Sequence, residues 1–126
     1  MLDATFAYAK LPAQDIERAR RFYDERLGLR SFGEHNGHLY YDVAGARFMV
    51  FPSTGQPSGT HDQVGFVVED IVGRVAELRG RGIVFEDNQL TQDGIADFGT
   101  VRAAWFKDSE GNLLNLIAGV SPMWSS

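Results

Sequence analysis

The stretch "VRAAWFKDSEGNLLNLIAG", residues 101–119, reads as two strands folded back on each other through the turn Asp108-Ser109-Glu110-Gly111. One residue does not suit a strand in a solid core. Asn115 lies among Leu113, Leu114, Leu116 and Ile117, and its amide brings donors and an acceptor that need partners wherever the strand is buried. Alternation puts Asn115 on one face with Leu113 and Ile117, where its amide either faces a hollow or is satisfied by neighbouring side chains or at a sheet edge.

Working backwards from this hairpin, "QVGFVVED" (63–70) reads as a strand. "DIVGRVAELRGRG" (70–82) reads as a helix capped by Asp70, with Ile71, Val75 and Leu78 turned inward, and "GIVFED" (82–87) as a further strand. The intervening "NQLTQDGIADFGT" (88–100), rich in Gly and Asp, is expected to be a loop. Gly94 and Gly99 could hinge it as a lid, and Asp93 and Asp97 could bring acids near the hollow; a solvated turn explains the same residues.

The same order appears earlier in the chain. "ATFAYAKL" (4–11) reads as a strand and "QDIERARRFYDERLG" (14–28) as a helix capped by Asp15 and ended by Gly28. "HLYYDVAGARFMVFP" (38–52) reads as two strands around Ala44-Gly45, closed by Pro52. Asp15-Ile16 corresponds to Asp70-Ile71, and "DVAG" at 42–45 to "DSEG" at 108–111. The sequence therefore predicts an α+β fold of two βαβββ modules forming a cupped mixed sheet with helices on its outer side. Module one spans about 1–53, a linker 54–61, module two 62–119 and a tail 120–126, all in a single domain. Because neither module can cover its own sheet, a cleft between them is expected.

The chain has 126 residues, 44% hydrophobic and 23% charged, as in a globular protein with a real apolar core. A net charge of -5 without a basic run gives no footprint for nucleic acid or an anionic membrane. The absence of cysteine excludes disulfides, thiolate metal sites and cysteine nucleophiles. No secretory signal or membrane span is read, and a cytoplasmic location is expected. No phosphate-cradling glycine loop, G-x-S-x-G elbow or H-E-x-x-H motif is present.

"LPAQDIERARRFYDERLGL" and "AAWFKDSEGNLLNL", together with the duplicated order, resemble the vicinal oxygen chelate superfamily, which includes glyoxalase I, bleomycin-resistance proteins and extradiol dioxygenases. The resemblance covers nearly the whole chain. It implies the fold above and, because members are commonly dimeric, a homodimer. It leaves activity open, since members include isomerases, lyases, dioxygenases, epimerases and drug-binding proteins.

In metal-using members four inward side chains, usually His or Gln and Glu, hold a divalent ion. The resemblance places those positions at Tyr8 and Gln63, seven residues before each capping Asp, and at Met49 and Asn115, four residues after each hairpin glycine. A phenol, a thioether and two amides offer a hard dication no compensating charge, so no metal and no other cofactor is expected there. Asn115 then points at a ligand or an ordered water. Phe51 shares Met49's face, and Trp105 is a candidate wall on either side of its sheet.

Among the histidines, His35 and His38 flank the turn-forming Asn36-Gly37, and His61 lies one pleat outward from Gln63. The helix charges, such as Glu17, Arg18 and Arg21, read as a solvated face. The leading expectation is a protein that binds a small organic molecule between its modules, with Tyr8, Met49, Phe51, Gln63, Trp105 and Asn115 at the site. The alternative is a metal-dependent lyase, isomerase or dioxygenase with non-standard ligands such as His61 or Asp93. A third reading is an interaction module whose pocket has collapsed.

Overall fold

The computed structural model describes residues 1–119; the expected tail at 120–126 lies outside the described residues. Module one comprises β1 (Ala9–Ala13), α1 (Ile16–Arg21), a π-helical turn (Phe22–Arg26), β2 (Gly33–His35), β3 (His38–Val43) and β4 (Ala46–Pro52). Module two comprises β5 (Asp62–Val67), α2 (Ile71–Gly80), β6 (Thr91–Gln92), β7 (Ile95–Asp97), β8 (Arg102–Lys107) and β9 (Leu113–Ala118). The strands form two mixed sheets, ordered β1-β4-β3-β2 and β5-β9-β8-β7-β6. In each, the first strand runs parallel to the last and the remaining pairs are antiparallel.

Both helices begin as their caps require. The Asp15 carboxylate accepts from the Arg18 N–H at 3.1 Å and the Asp70 carboxylate from the Gly73 N–H at 3.0 Å, each satisfying a donor that the first turn leaves free. The first helix does not stay α-helical to its end. Leu27 donates to the Phe22 carbonyl five residues back, at 3.3 Å; Gly28 then donates to Asp24 at 3.1 Å and Leu29 to Tyr23 at 2.8 Å, a nested pair each one residue wider than a Schellman ending.

The helices cover one face of the sheets. Leu11, Leu39, Tyr41, Phe48 and Val50 from module one and Ala104, Phe106, Leu114 and Leu116 from module two are buried there, in one cluster with Ala19, Tyr23, Ile71 and Val75 of the helical segments. Tyr23, Tyr41 and Phe48 pack with ring centroids 5.1–6.0 Å apart, and Phe48 reaches Phe66 of module two edge-on at 6.2 Å. The modules thus share a core on their helical side.

Three segments differ from the sequence reading. "ATFAYAKL" supplies strand only from Ala9, and residues 1–8 are exposed. The segment 88–100, expected as a loop, contains β6 and β7, which lengthen the second sheet. They meet at a two-residue turn with Asp93 at φ 54° and Gly94 at φ 80°, the left-handed pair whose twist suits a hairpin. "GIVFED" is reduced to a bridge between Phe85 and Phe106, with the Glu86 N–H on the Trp105 carbonyl at 2.7 Å, because β7 already holds the other end of β8's edge.

Candidate functional site

Strand register fixes which side chains leave the core. Leu11, Val50 and Leu39 lie in register and are buried against the helices; the neighbouring rung, Lys10–Met49–Tyr40, therefore projects from the opposite, inner face. Arg47 and Phe51 flank Met49 on β4. Two cations lie over rings here: Lys10 Nζ is 4.6 Å from the Phe51 centroid and Arg47 Cζ is 5.0 Å from that of Phe32. Phe32 packs on Tyr40 at 6.1 Å, Phe6 on Tyr8 at 6.0 Å and His38 on Phe51 at 6.3 Å. Phe6, Tyr8, Phe32, Tyr40, Arg47 and Phe48 line a cavity of about 390 Å³.

Module two repeats the rung with different chemistry: Gly65, Asn115 and Trp105 stand in register where module one has Lys10, Met49 and Tyr40. Trp105 therefore shares Asn115's face, the side the sequence left open. A Cβ on Gly65 would come within 2.7 Å of Asn115 Oδ1, so the amide lies over the glycine, where a side chain would otherwise stand. Asn115 is 7% exposed. Gln63 is the extra residue of a bulge between Asp62 and Val64, and its Oε1 is buried without a partner among the described residues.

The model of the Glyoxalase/Bleomycin resistance protein/Dioxygenase superfamily matches residues 5–116. The chain belongs to that superfamily. Three solved structures of like fold cover nearly all of it. A glyoxalase/bleomycin resistance protein/dioxygenase from Nocardioides is 20% identical, with a TM-score of 0.70 over 94% of this chain and 85% of that one. The genomically encoded fosfomycin resistance protein FosX from Listeria monocytogenes is 13% identical, with a TM-score of 0.74 over 94% and 96%. An integron cassette protein from the mobile metagenome of V. cholerae is 15% identical, with a TM-score of 0.67 over 95% and 98%. At these identities the likeness is one of fold. No curated protein matches the chain.

Tyr8, Met49, Gln63 and Asn115, to which the resemblance assigns the metal positions, offer a phenol, a thioether and two amides, a donor set that does not fit a hard divalent ion. Lys10, one strand from Met49, adds a positive charge beside that place. Among the described residues, no three His, Cys, Asp or Glu side chains come together. His61 Nδ1 is 3.1 Å from Ser58 Oγ in the exposed linker, and His38 Nδ1 is 3.0–3.1 Å from the carbonyls of Asn36 and His35 in the β2–β3 turn. Asp93 sits at the β6–β7 turn, where its carbonyl accepts from Arg79 of α2 at 2.9 Å; this holds the hairpin tip against a helix, on the side away from the inner face. Asp97 accepts from the Gly99 N–H at 2.9 Å.

Of the sequence-predicted residues, Met49 and Phe51 share module one's inner face, and Trp105 and Asn115 share module two's. Tyr8, 46% exposed and just ahead of β1, joins Tyr40 in the 390 Å³ cavity, which module one lines alone. Lys10, Tyr40, Arg47 and Gly65 were not singled out from sequence as site residues. Alternation from Met49 and Asn115, carried across to the parallel neighbour strand, is the signal that finds them.

A buried polar knot joins the modules beneath this surface. Tyr23 Oη donates to Asp108 Oδ2 at 2.7 Å, and Asn112 Nδ2 donates to the same oxygen at 2.8 Å and to the Pro12 carbonyl at 3.0 Å. Asp108 Oδ1 accepts the N–H groups of Glu110 and Asn112. Burial raises the Asp108 carboxyl above the usual carboxylate range against the pull of these donors, and burial with the nearby Asp108 charge pushes the Tyr23 phenol well above its ordinary value. Alongside, Glu110 accepts from Arg18 Nε at 2.7 Å and from the Asp15 N–H at 3.0 Å. Burial opposes its ionisation, but these donors together hold it below the usual range.

Proposed function

We propose that this chain binds a small organic molecule between its two modules, without the divalent ion used elsewhere in the superfamily, and acts as a homodimer. The observation that carries the reading is the uncharged quartet Tyr8, Met49, Gln63 and Asn115 at the four metal positions. Apolar and aromatic walls with a few placed polar groups are the usual composition of a ligand site. Gln63 Oε1, buried with no partner among the described residues, is an acceptor that a ligand donor would satisfy. Unpaired apolar side chains on the inner faces, Tyr8 and Val67 among them, support a second copy closing the cleft.

The test is isothermal titration of the full chain against planar aromatic and glycosylated compounds, with elemental analysis of protein purified without added metal and light scattering for mass. Saturable binding by a metal-free dimer is expected. Stoichiometric zinc, nickel, manganese or iron, or a panel without any binder, would overturn the proposal.

A further inference from the structure

Resting on the reading that the chain binds a small organic molecule, we infer that the ligand is an aromatic acid held on module one's inner face, whose ring lies against Tyr8 and Tyr40 and whose anionic group meets the Arg47 guanidinium. The chain as a whole carries a net charge of -5, yet the inner face of module one is built the other way. Its strands present Lys10 and Arg47 there and a single carboxylate, Asp42, in register with Arg47. Asp42 is already engaged: its Oδ1 accepts the Gly45 N–H at 2.9 Å and its Oδ2 accepts from Arg47 Nε at 3.1 Å. One cation in excess remains on a face of an acidic protein.

Geometry makes Arg47 the receptor of the charge. Its guanidinium carbon lies 5.0 Å from the Phe32 ring centroid and it uses only Nε toward Asp42, so among the described residues the Nη1 and Nη2 edge has no hydrogen-bond partner. That edge presents two parallel donors, the arrangement a carboxylate accepts in bidentate fashion. Arg47 also lines the 390 Å³ cavity whose walls are Phe6, Tyr8, Phe32 and Tyr40. This volume lies in the range of small-molecule sites, about 300–1,000 Å³. Four rings around one open guanidinium edge select a flat molecule with an acidic end. Lys10 lies beyond Met49, over Phe51, and contributes field rather than contact.

The experiment compares three probes of one shape by titration calorimetry on the full chain: 2-naphthoate, neutral 2-naphthamide and cationic 2-naphthylmethylamine. The acid should bind about ten-fold tighter than the amide, and the amine weakest. Arg47→Met should abolish the acid's advantage over the amide, and Arg47→Lys should retain part of it. Lys10→Met should lower acid affinity by a smaller factor that shrinks as salt is raised. Equal binding of acid and amide in the wild type, or an acid preference that survives Arg47→Met in a variant with unchanged melting temperature, overturns the inference and leaves small-molecule binding standing. If no probe binds, the inference falls, and the wider ligand panel decides the parent proposal separately.

Discussion

The two hairpin turns, residues 42–45 and 108–112, occupy matching places in the two copies and do opposite work. In the first, Asp42 lies in the open, accepting from its own turn and from Arg47 across the strand pair. In the second, an aspartate five residues before the corresponding strand turns inward and becomes the centre of four hydrogen bonds from Tyr23, Asn112 and two backbone amides. The turn of module two is longer, so Asp108 falls past the last ladder pair, Lys107–Leu113, whereas Asp42 still pairs with Arg47 inside the ladder. One turn fastens the modules together and the other is free to equip the inner face.

The largest effect should come from removing the fastener. Asp108→Ala leaves the Tyr23 hydroxyl and two N–H groups without their acceptor and the Asn112 amide with the Pro12 carbonyl alone, and about 3 kcal/mol of unfolding free energy should be lost in urea titration. Asp42→Ala should leave the midpoint within error of the wild type, since its partners are solvated. Comparable losses at both positions would break the contrast between the turns.

A second effect concerns pH. Glu110 has a folded-state pKa below its unfolded value, so its contribution is present above the ordinary carboxylate range and is lost as pH falls through the folded value. Glu110→Gln should therefore flatten the decline of stability between roughly pH 5 and pH 3, read from melting temperature in that window. Asp108, raised by burial, works with the opposite sign: its contribution is full at low pH and fades as pH rises through its folded value. A steeper acid limb in the variant would contradict the assignment of Glu110.

The smallest expected effect compares the two inner rungs. Gly65→Ala places a Cβ where Asn115 Oδ1 now lies, and a flexible amide can swing aside, so stability should change by less than about 1 kcal/mol. The Asn115 side-chain amide resonances should nonetheless move in an NMR spectrum. Unmoved resonances would mean that the amide does not rest on the glycine.

Much of the fold was legible because each decisive signal was local. Asp15 and Asp70 cap where a carboxylate before an apolar stripe must cap, and Asn115 betrays the inner face because an amide in a run of leucines has to look outward. What sequence hid was non-local or depended on backbone handedness. The hairpin 91–97 is polar and short, and only the left-handed pair Asp93-Gly94 closes it. Trp105's side could not be settled across a turn of unknown register. Lys10 and Gly65 join the site through parallel pairing with strands 39 and 50 residues away. The bulge at Gln63 slips β5 against β9 within module two, just where the resemblance counts its positions, which no spacing rule anticipates.

The wide turn at Phe22–Arg26 has a consequence for how this protein can change. A residue accommodated inside a helix redirects everything after it by about 100° around the axis. Deleting one residue there would leave a tidier helix but swing Leu27 and Leu29, which follow the wide turn and pack against the core, away from their present places. Length variation in that segment is thus a rotation of the helix's exit.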